Sequence, residues 1–339
     1  MYNTRYHLAD LSNYSFLVTG GAGFIGSNLV EYLLKYGARK VRVLDNLSTG
    51  HRRNLEPFMS HPAFEFVEGD IRSLQTCEQA MQGIDLVSHQ AALGSVPRSI
   101  QDPITSNEVN VSGFLNILVA ARNSEVKRVV YAASSSTYGD STELPKVEDR
   151  IGKPLSPYAI TKYVNELYAD VFSRIYGLEL IGLRYFNVFG QRQDPNGAYA
   201  AVIPKFVNQL IRHESPVING DGNYSRDFTY IENVVQMNLK AMFTEDSRAV
   251  NQVYNVAFGE NTSLNELVQY LKEYLAEHDP AIAGVEVIHG PNRVGDIPHS
   301  LADITKARTL LGYEPLFSIR DGLKETLKWY TQESATVSV

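Results

Sequence analysis

Residues 15–26 read Ser15-Phe16-Leu17-Val18-Thr19-Gly20-Gly21-Ala22-Gly23-Phe24-Ile25-Gly26, an apolar run followed by regularly spaced glycines. The apolar run predicts a buried strand, and apolar side chains at helical spacing from Ile25 to Tyr36 predict a helix that ends at Gly37. Glycines between a strand and a helix allow a tight turn, and they let a pyrophosphate approach the backbone at the helix N-terminus. The stretch therefore predicts a dinucleotide-binding unit. Its candidate contact residues are Gly20, Gly23, Phe24, Ile25 and Gly26.

The ends of the next strands supply further candidates for cofactor binding. The apolar run 41–44 ends at Asp45, whose carboxylate would accept hydrogen bonds from ribose hydroxyls and repel a 2′-phosphate, so NAD is favoured over NADP. Asp70 and Ile71 follow the run 64–67, where they would either flank the adenine or belong to an ordinary strand end. The candidate cofactor set also includes Asn46, Ala91 and Tyr185.

Strands and helices alternate along the first half of the chain. Further strands are predicted over 85–89, 128–131 and 180–183, and helices over 103–122 and 157–176. This alternation predicts an α/β protein, a Rossmann-type doubly wound parallel sheet with a smaller α/β C-terminal substrate domain. We expect a cofactor domain over 1–186, with an arm over 1–14 that either packs or stays loose. The substrate domain is expected over 187–333, with some chain crossing back to the first domain.

Composition narrows the class of protein. The chain has 339 residues, of which 44% are apolar, and its formal net charge of −7 argues against nucleic acid or an anionic membrane as partner. Cys77 is the single cysteine, and the eight histidines lack metal-ligand spacing, so neither a disulfide framework nor a metal site is expected. Apolar stretches of membrane-spanning length and a signal-peptide core are both missing, so we expect a cytoplasmic protein.

The stretch Leu155-Ser156-Pro157-Tyr158-Ala159-Ile160-Thr161-Lys162 carries the candidate chemistry. Ser156 is a good helix N-cap and Pro157 fits the first helical position, so Tyr158 and Lys162 share one helical face. An ammonium beside a phenol favours the phenolate, and a positive nicotinamide ring would lower the pKa of the phenol further. Ser134, after the strand 128–131, could share the proton. These three residues are the predicted catalytic group, although tyrosine, lysine and serine in such positions also occur on ordinary helices and turns.

With the glycine triplet, Ser134 and Tyr-x-x-x-Lys in this order, the chain resembles the extended short-chain dehydrogenase/reductases. Within that superfamily it resembles the UDP-hexose 4-epimerases over nearly its whole length, from Thr19 to 303–312. The resemblance implies a Rossmann-type NAD domain, a C-terminal UDP-sugar domain, and a homodimer paired through two helices of each subunit. It also implies that Ser134 helps Tyr158 and that Lys162 binds the nicotinamide ribose.

The same resemblance implies the substrate contacts. In Tyr185-Phe186-Asn187, the tyrosine would lie near the nicotinamide and Asn187 would contact the substrate diphosphate. Arg226 and Arg293 match two arginines that clamp the diphosphate, and Asp296 matches a carboxylate that holds the UDP ribose. A guanidinium group can form paired hydrogen bonds to phosphate oxygens, so the two arginines are also chemically suited to bind a diphosphate.

Ser300 and two loop sequences bear on the choice of sugar. By the same resemblance, epimerases that accept only unacetylated sugars carry a bulky tyrosine at the position of Ser300. A small residue at this position leaves volume for an acetamido group. The stretches 94–99 and 191–194 resemble the bacterial branch devoted to N-acetylated substrates. Counterparts of the following residues line the sugar pocket in that branch: Ser95, Ser135 and Gln193. Ser134, Ser136 and Tyr158 complete the predicted substrate set.

Our hypothesis from the sequence is reversible C4 epimerisation of UDP-GlcNAc to UDP-GalNAc through a 4-keto sugar, with transient reduction of bound NAD. One alternative is epimerisation of UDP-GlcNAc-uronate, for which Arg98 or Arg192 could bind the carboxylate. A 4,6-dehydratase is a weaker alternative, because that class places Asp-Glu where this chain has Ser135-Ser136. A non-catalytic NAD-sensing protein is a further one, although such proteins often lose the tyrosine or lysine kept here.

Overall fold

A computed structural model describes residues 2–195, 201–291 and 297–337. The described strands are β1 Ser15–Thr19, β2 Lys40–Asp45, β3 Phe64–Glu68, β4 Leu86–His89, β5 Arg128–Ser134, β6 Glu179–Tyr185, β7 Val188–Phe189, β8 Val217–Asn219, β9 Ser225–Arg226, β10 Thr229–Tyr230, β11 Gln252–Val256, β12 Thr262–Ser263 and β13 Ile288–Gly290. The described α-helices are α1 Phe24–Lys35, α2 Leu74–Met81, α3 Val96–Gln101, α4 Pro103–Asn107, α5 Phe114–Asn123, α6 Pro157–Tyr176, α7 Val202–Ile211, α8 Ile231–Phe243, α9 Leu264–Ala276, α10 Thr305–Leu311 and α11 Ile319–Val337. No helix in this described part of the chain is both long and apolar enough to cross a membrane.

Seven parallel strands form the central sheet in the order β11-β6-β5-β4-β1-β2-β3. The predicted fold class is therefore confirmed. Strand β1 pairs with β2 on one side and β4 on the other, so the direction of winding reverses beside β1. Because ligands of such sheets bind at the carboxyl ends of the strands where the winding reverses, the fold places a binding crevice after Thr19.

Apolar side chains on both faces of the sheet explain why its strands read as continuous apolar runs. In β1, Phe16 and Val18 belong to one buried cluster, whereas Leu17 belongs to a second cluster on the other face. Alternate side chains of a strand point to opposite faces, so a strand with helices on both faces must be apolar throughout.

The segment beyond residue 186 contributes to the same sheet. Strand β11, Gln252–Val256, pairs with β6 in parallel, from Gln252 opposite Ile181 to Val256 opposite Tyr185. The two-residue and three-residue strands form three small pairs outside the central sheet: β7 with β10, β9 with β12, and β8 with β13. The domain boundary placed at 186/187 stays a prediction.

The helix predicted over 103–122 is interrupted. Helix α4 passes into a π-helical segment, Glu108–Gly113, before α5 begins at Phe114. Within that segment the Asn110 side chain accepts from the Leu93 amide at 2.8 Å and donates to the Leu93 carbonyl at 3.1 Å. Single π-turns inside helices occur frequently at functional sites, and this one fixes the loop that follows β4.

Helix α6 has the ends that the sequence predicts. Ser156 caps it by accepting from the Ala159 amide at 3.1 Å, Pro157 is its first residue, and Gly177 ends it with φ +68°. The Glu166 carboxylate accepts two hydrogen bonds from Arg184 of β6, at 2.9 and 2.7 Å. Both side chains are buried, so this ion pair joins α6 to the sheet.

Glu166→Gln should lower the free energy of unfolding by about 3–5 kcal/mol, because it leaves the Arg184 guanidinium buried without its carboxylate. Urea unfolding at pH 7, followed by circular dichroism, measures the change. Asp170→Asn is the matched control on the same helix, since the Asp170–Arg174 pair is exposed and is expected to contribute roughly 0–1 kcal/mol. Equal stability of Glu166→Gln and the control would contradict this role of the pair.

Candidate active site

A cleft of about 690 Å³ runs along the carboxyl ends of the central strands. Sixteen of the predicted site residues line it: Gly20, Gly23, Phe24, Ile25, Gly26, Asp45, Asn46, Asp70, Ile71, Ala91, Ser95, Ser134, Tyr158, Lys162, Tyr185 and Gln193. They come from segments far apart in the chain, and the reversal of winding beside β1 brings them together.

The glycine turn between β1 and α1 has no room for side chains. A Cβ on Gly20, whose φ is +68°, would lie 2.7 Å from the amide nitrogen of Ala91, and one on Gly26 would lie 2.2 Å from the carbonyl oxygen of Gly20. Gly23 caps α1 without any side-chain hydrogen bond. The first residues of the helix line the cleft, and the amides of a helix N-terminus without a side-chain cap suit a pyrophosphate.

Asp45 joins this turn to the end of β2. Its carboxylate accepts from the amides of Ala22, at 2.9 Å, and Leu47, at 2.8 Å. Burial raises the pKa of Asp45, while these two hydrogen bonds oppose that effect. A carboxylate positioned at the end of the second strand fits the ribose hydroxyls of NAD.

Asp70 lies beside Asn46 at the outer end of the cleft. The Asn46 amide donates to Asp70 at 3.0 Å, and Arg72 donates to the same carboxylate at 2.7 Å. The hydrogen bond from Arg72 lowers the pKa of Asp70 to about 2. Arg72 and Asn46 thus favour the ionised form of Asp70, which would suit either a flank for the adenine or an ordinary strand end.

Tyr158, Ser134 and Lys162 meet at the inner end of the cleft. Burial raises the pKa of the Tyr158 phenol, and a hydrogen bond with Ser134 lowers it. The Lys162 ammonium donates to the carbonyl of Ala132 at 2.8 Å, and burial lowers the pKa of Lys162 to about 8. The amide of Tyr158 donates to the Ser99 hydroxyl at 3.0 Å, which ties the start of α6 to α3.

This geometry corrects one expectation about the phenol. Lys162 was expected to lower the pKa of Tyr158, but in the structure the opposing contribution comes from Ser134 and the net effect of burial is to raise the pKa. The hydrogen bond that the structure records for the Lys162 ammonium goes to the backbone of β5. A positive charge placed beside this phenol would favour the phenolate.

Tyr185 is held by side chains that the sequence did not single out. Its hydroxyl accepts from the amides of Gln90, at 3.1 Å, and Asn238, at 2.9 Å. Gln90 follows β4 and lines the cleft, whereas Asn238 lies on α8. The position of Gln90 at a strand's carboxyl end could have indicated it, but only the tertiary fold brings Asn238 there.

Ser135 and Ser136 follow Ser134 in a short 3₁₀ turn. The Ser136 hydroxyl donates to the Ser134 oxygen at 2.9 Å, and the Ser136 amide donates to it at 3.2 Å. Ser136 thus supports the hydroxyl that contacts Tyr158. Neither Ser135 nor Ser136 is among the described residues that line the cleft.

A second group of predicted residues lies around β9. The Arg226 guanidinium donates to the carbonyls of Ser225, at 3.0 Å, and Pro298, at 3.2 Å. The Ser300 amide also donates to Ser225, at 3.1 Å, and the Asn187 amide donates to the carbonyl of Asp227 at 3.1 Å. Asn187, Arg226 and Ser300 are absent from the described lining of the cleft.

Asp227 organises this second group, although the sequence reasoning did not select it. Its buried carboxylate accepts from the amides of Phe258 at 3.1 Å, Gly259 at 3.1 Å and Ala302 at 3.2 Å. Burial raises the pKa of Asp227 to about 7. Its place in Ser225-Arg226-Asp227 was the available signal. The predicted substrate residues Arg293 and Asp296 lie outside the described residues.

Within the described ranges, no group of three histidine, cysteine or carboxylate side chains could hold a metal ion. Tyr158, with Ser134 hydrogen-bonded to it, can transfer a proton at its hydroxyl, next to a cleft whose glycine turn suits a dinucleotide.

Gly26→Ala should weaken NAD binding more than tenfold, which corresponds to about 1.4 kcal/mol, because the new methyl group would displace the turn that carries Gly20. Isothermal titration of protein freed of bound nucleotide measures the affinity. Gly284→Ala is the control, since a Cβ there meets nothing within 4 Å. If Gly26→Ala binds NAD as the control does, the turn is not the cradle.

Known proteins are similar to this chain in sequence and in fold. The model of the NAD dependent epimerase/dehydratase family matches residues 16–257. A UDP-N-acetylglucosamine 4-epimerase from Methanobrevibacter ruminantium M1, solved with UDP-N-acetylmuramic acid, is 38% identical with a TM-score of 0.87, over 94% of this chain and 99% of that one.

Two further relatives differ in the sugar that they are named for. A UDP-glucose 4-epimerase from Thermotoga maritima, solved with UDP-glucose, is 37% identical with a TM-score of 0.86, over 94% and 99% of the two chains. A UDP-glucuronate 4-epimerase from Thermodesulfobacterium geofontis is 32% identical over 93% of this chain and 95% of that one. With the family model covering most of the chain and relatives this similar over nearly its full length, the chain belongs to the NAD dependent epimerase/dehydratase family, and NAD is its cofactor.

Proposed function

We propose that the protein is a UDP-sugar 4-epimerase and that its substrate is a UDP-N-acetylhexosamine, which it interconverts between UDP-GlcNAc and UDP-GalNAc. The observation that carries the proposal is the meeting of Tyr158, Ser134 and Lys162 at the inner end of the cleft whose outer end is formed by the glycine turn, Asp45 and Asp70. The similarity to several sugar-nucleotide 4-epimerases supports it.

The roles of the chain's own residues follow from this geometry. NAD, when bound, supplies a reversible acceptor for the hydride at C4 of the sugar. The Tyr158 phenolate accepts the proton of the 4-hydroxyl, and the Ser134 hydroxyl donates to the phenolic oxygen and stabilises its negative charge. After the 4-keto sugar has turned its other face to the cofactor, Tyr158 returns the proton to the 4-oxygen.

The residues around β9 would hold the UDP while the sugar turns. We assign Arg226 and Asn187 to the diphosphate, together with Arg293, and Asp296 to the ribose of the UDP. Asp227 supports this assignment, because its carboxylate ties the backbone of Phe258, Gly259 and Ala302 to the strand that carries Arg226. A firmly held diphosphate and a loosely held sugar are what the reaction requires.

Two side chains support an N-acetylated sugar. Ser300 is small and partly exposed, and although it is absent from the described lining of the cleft, the resemblance implies that a tyrosine at this position would exclude an acetamido group. Gln193 lines the cleft, donates to the carbonyl of Val188 at 3.1 Å, and has a buried Oε1 that accepts nothing from the described part of the chain. Buried acceptors are normally paired, so this oxygen suits the N–H of an acetamido group.

A uronic substrate is the second candidate, because Arg98 lines the cleft and a guanidinium there could pair with a C6 carboxylate. Arg192, the other arginine considered for that role, forms an ion pair with Glu31 instead. The dehydratase alternative has less support, since Ser135-Ser136 offers no carboxylate to remove a proton next to a 4-keto group.

Incubation with UDP-GlcNAc, UDP-Glc and UDP-GlcNAc-uronate, with products resolved by NMR, tests the proposal. We expect inversion at C4 of UDP-GlcNAc at a kcat/KM more than tenfold above those for the other two. Tyr158→Phe should lower kcat at least about a hundredfold, because general base catalysis contributes roughly 10²–10⁴.

Ser300→Tyr is the control for the acetamido assignment. It should lose most activity on UDP-GlcNAc while keeping any activity on UDP-Glc. Normal epimerisation by Tyr158→Phe would end the proposal of mechanism, and faster turnover of the uronic sugar would establish the second candidate as the substrate.

We also propose a homodimer paired through α6 and the neighbouring helices α3 and α4. Large apolar side chains of these helices are exposed, which is unusual for a surface without a partner. They are Ile100, Ile104, Ile160, Leu167, Val171 and Ile175. A second copy of the chain would cover them.

Sedimentation velocity at micromolar concentration should therefore give twice the chain mass of 37.9 kDa. Leu167→Glu should shift the protein to the single-chain mass, because it places a charge in the apolar face, and Val217→Glu, which changes an apolar residue exposed elsewhere, should not. A single-chain mass for the unaltered protein would contradict the dimer.

A further inference from the structure

The N-terminal arm packs against α1 in a defined conformation. Tyr2 and Tyr6 are both buried, and the ring of each lies 5.7 Å from that of Tyr32. Tyr2 has φ +59°, in the left-handed region that non-glycine residues rarely adopt, and its carbonyl accepts from the Tyr36 hydroxyl at 2.9 Å.

Asn28 connects the arm to a loop on the substrate side. This side chain, fully buried on α1, accepts at Oδ1 from the Tyr2 hydroxyl, at 2.6 Å, and from the Gln191 amide, at 2.9 Å. Its Nδ2 donates to the carbonyls of Phe24, at 2.8 Å, and Gln191, at 3.3 Å. All four hydrogen-bonding positions of the amide are used, so its orientation is determined.

The loop 191–194 is attached at every residue. Gln191 bonds to Asn28, Arg192 pairs with Glu31 on the same helix, and the Tyr330 hydroxyl donates to the carbonyl of Gln193. His51 lies 3.2 Å from the carboxylate of Asp194. Gln193 and Asp194 line the cleft, so the backbone of this loop sets how their side chains face a substrate.

We infer that Tyr2 and Asn28 are positioning residues that act through Gln191 and hold the loop 191–194 where Gln193 meets the sugar. The inference rests on the proposed function in taking Gln193 as a substrate contact. Tyr2 itself is not among the described residues that line the cleft. It fixes the Asn28 amide, whose Oδ1 and Nδ2 then bind both the side chain and the backbone of Gln191.

The expected consequence is that the loop 191–194 occupies its competent conformation less often, while the chemical step is unchanged. If the loop is in its competent conformation only a fraction of the time, the apparent affinity for substrate falls by that fraction. Removal of one buried hydrogen bond is expected to change this fraction by about three- to tenfold. Saturating substrate selects the competent loop, so KM should rise while kcat stays near its original value.

Tyr2→Phe tests the inference, and Tyr6→Phe is its matched control. Both remove one buried phenolic hydroxyl from the arm, but that of Tyr6 donates to Glu232 at 2.7 Å and not to Asn28. We expect Tyr2→Phe to speed backbone hydrogen exchange in 188–195 and to raise KM about three- to tenfold. Tyr6→Phe should leave both unchanged at a similar melting temperature.

A double-mutant cycle with Gln191→Ala measures whether the effect passes through Asn28. Because both changes break the same junction, Tyr2→Phe combined with Gln191→Ala should raise KM by less than the product of the two single effects. Multiplicative effects in the cycle, or equal exchange and equal KM for the two tyrosine variants, would overturn the inference. If the unaltered protein turns over no UDP-sugar, the proposed function fails, and the exchange comparison still decides whether Tyr2 holds the loop.

Discussion

The ion pair between Glu166 and Arg184 is the contact on which the candidate site depends. Glu166 lies one helical turn beyond Lys162, and Arg184 directly precedes Tyr185 in β6. The Arg184 guanidinium also donates to the carbonyl of Glu148 at 2.9 Å and lies 4.8 Å from the ring centre of Tyr138. One buried pair therefore sets the distance between the helix that carries the phenol and the strands that carry Tyr185 and Ser134.

Burial of Tyr158 opposes formation of the phenolate on which the proposed reaction depends. A phenol removed from water holds its proton more tightly, and the raised pKa of Tyr158 reflects this. Ser134 opposes the effect by hydrogen bonding, and Lys162, directed to Ala132, adds positive charge nearby without touching the phenol. The positive ring of oxidised NAD, if bound beside the phenol, would also favour the phenolate. This coupling would protect a 4-hydroxyl from deprotonation in the absence of a hydride acceptor.

The sequence predicts the central sheet well because parallel strands that are buried on both faces consist of continuous apolar residues. The runs 15–19 and 64–67 match β1 and nearly all of β3. Strand β6 extends two residues beyond its predicted end. A charged residue such as Arg184 is typical of a strand end, and only the structure shows that Glu166 neutralises its charge. The place of β11 beside β6 could not be predicted, because nothing local to 252–256 specifies a partner so distant in the chain.

The residues of the candidate site also fall into those that the sequence predicts and those that only the fold reveals. Gly20, Asp45 and Tyr158 belong to motifs whose spacing follows from helix and strand geometry, and the structure brings them to one cleft. Asn238 comes from no such motif, and although Asp227 stands in Ser225-Arg226-Asp227, the roles of both depend on contacts that only the folded chain creates.

The most direct measurement is a titration of the Tyr158 phenol, by NMR of protein labelled at its tyrosine ring carbons and assigned with Tyr158→Phe. With NAD bound, we predict that this tyrosine ionises at a lower pH than the other described tyrosines, and that Ser134→Ala moves its ionisation to higher pH. A Tyr158 that keeps the same raised pKa with and without NAD would contradict the account.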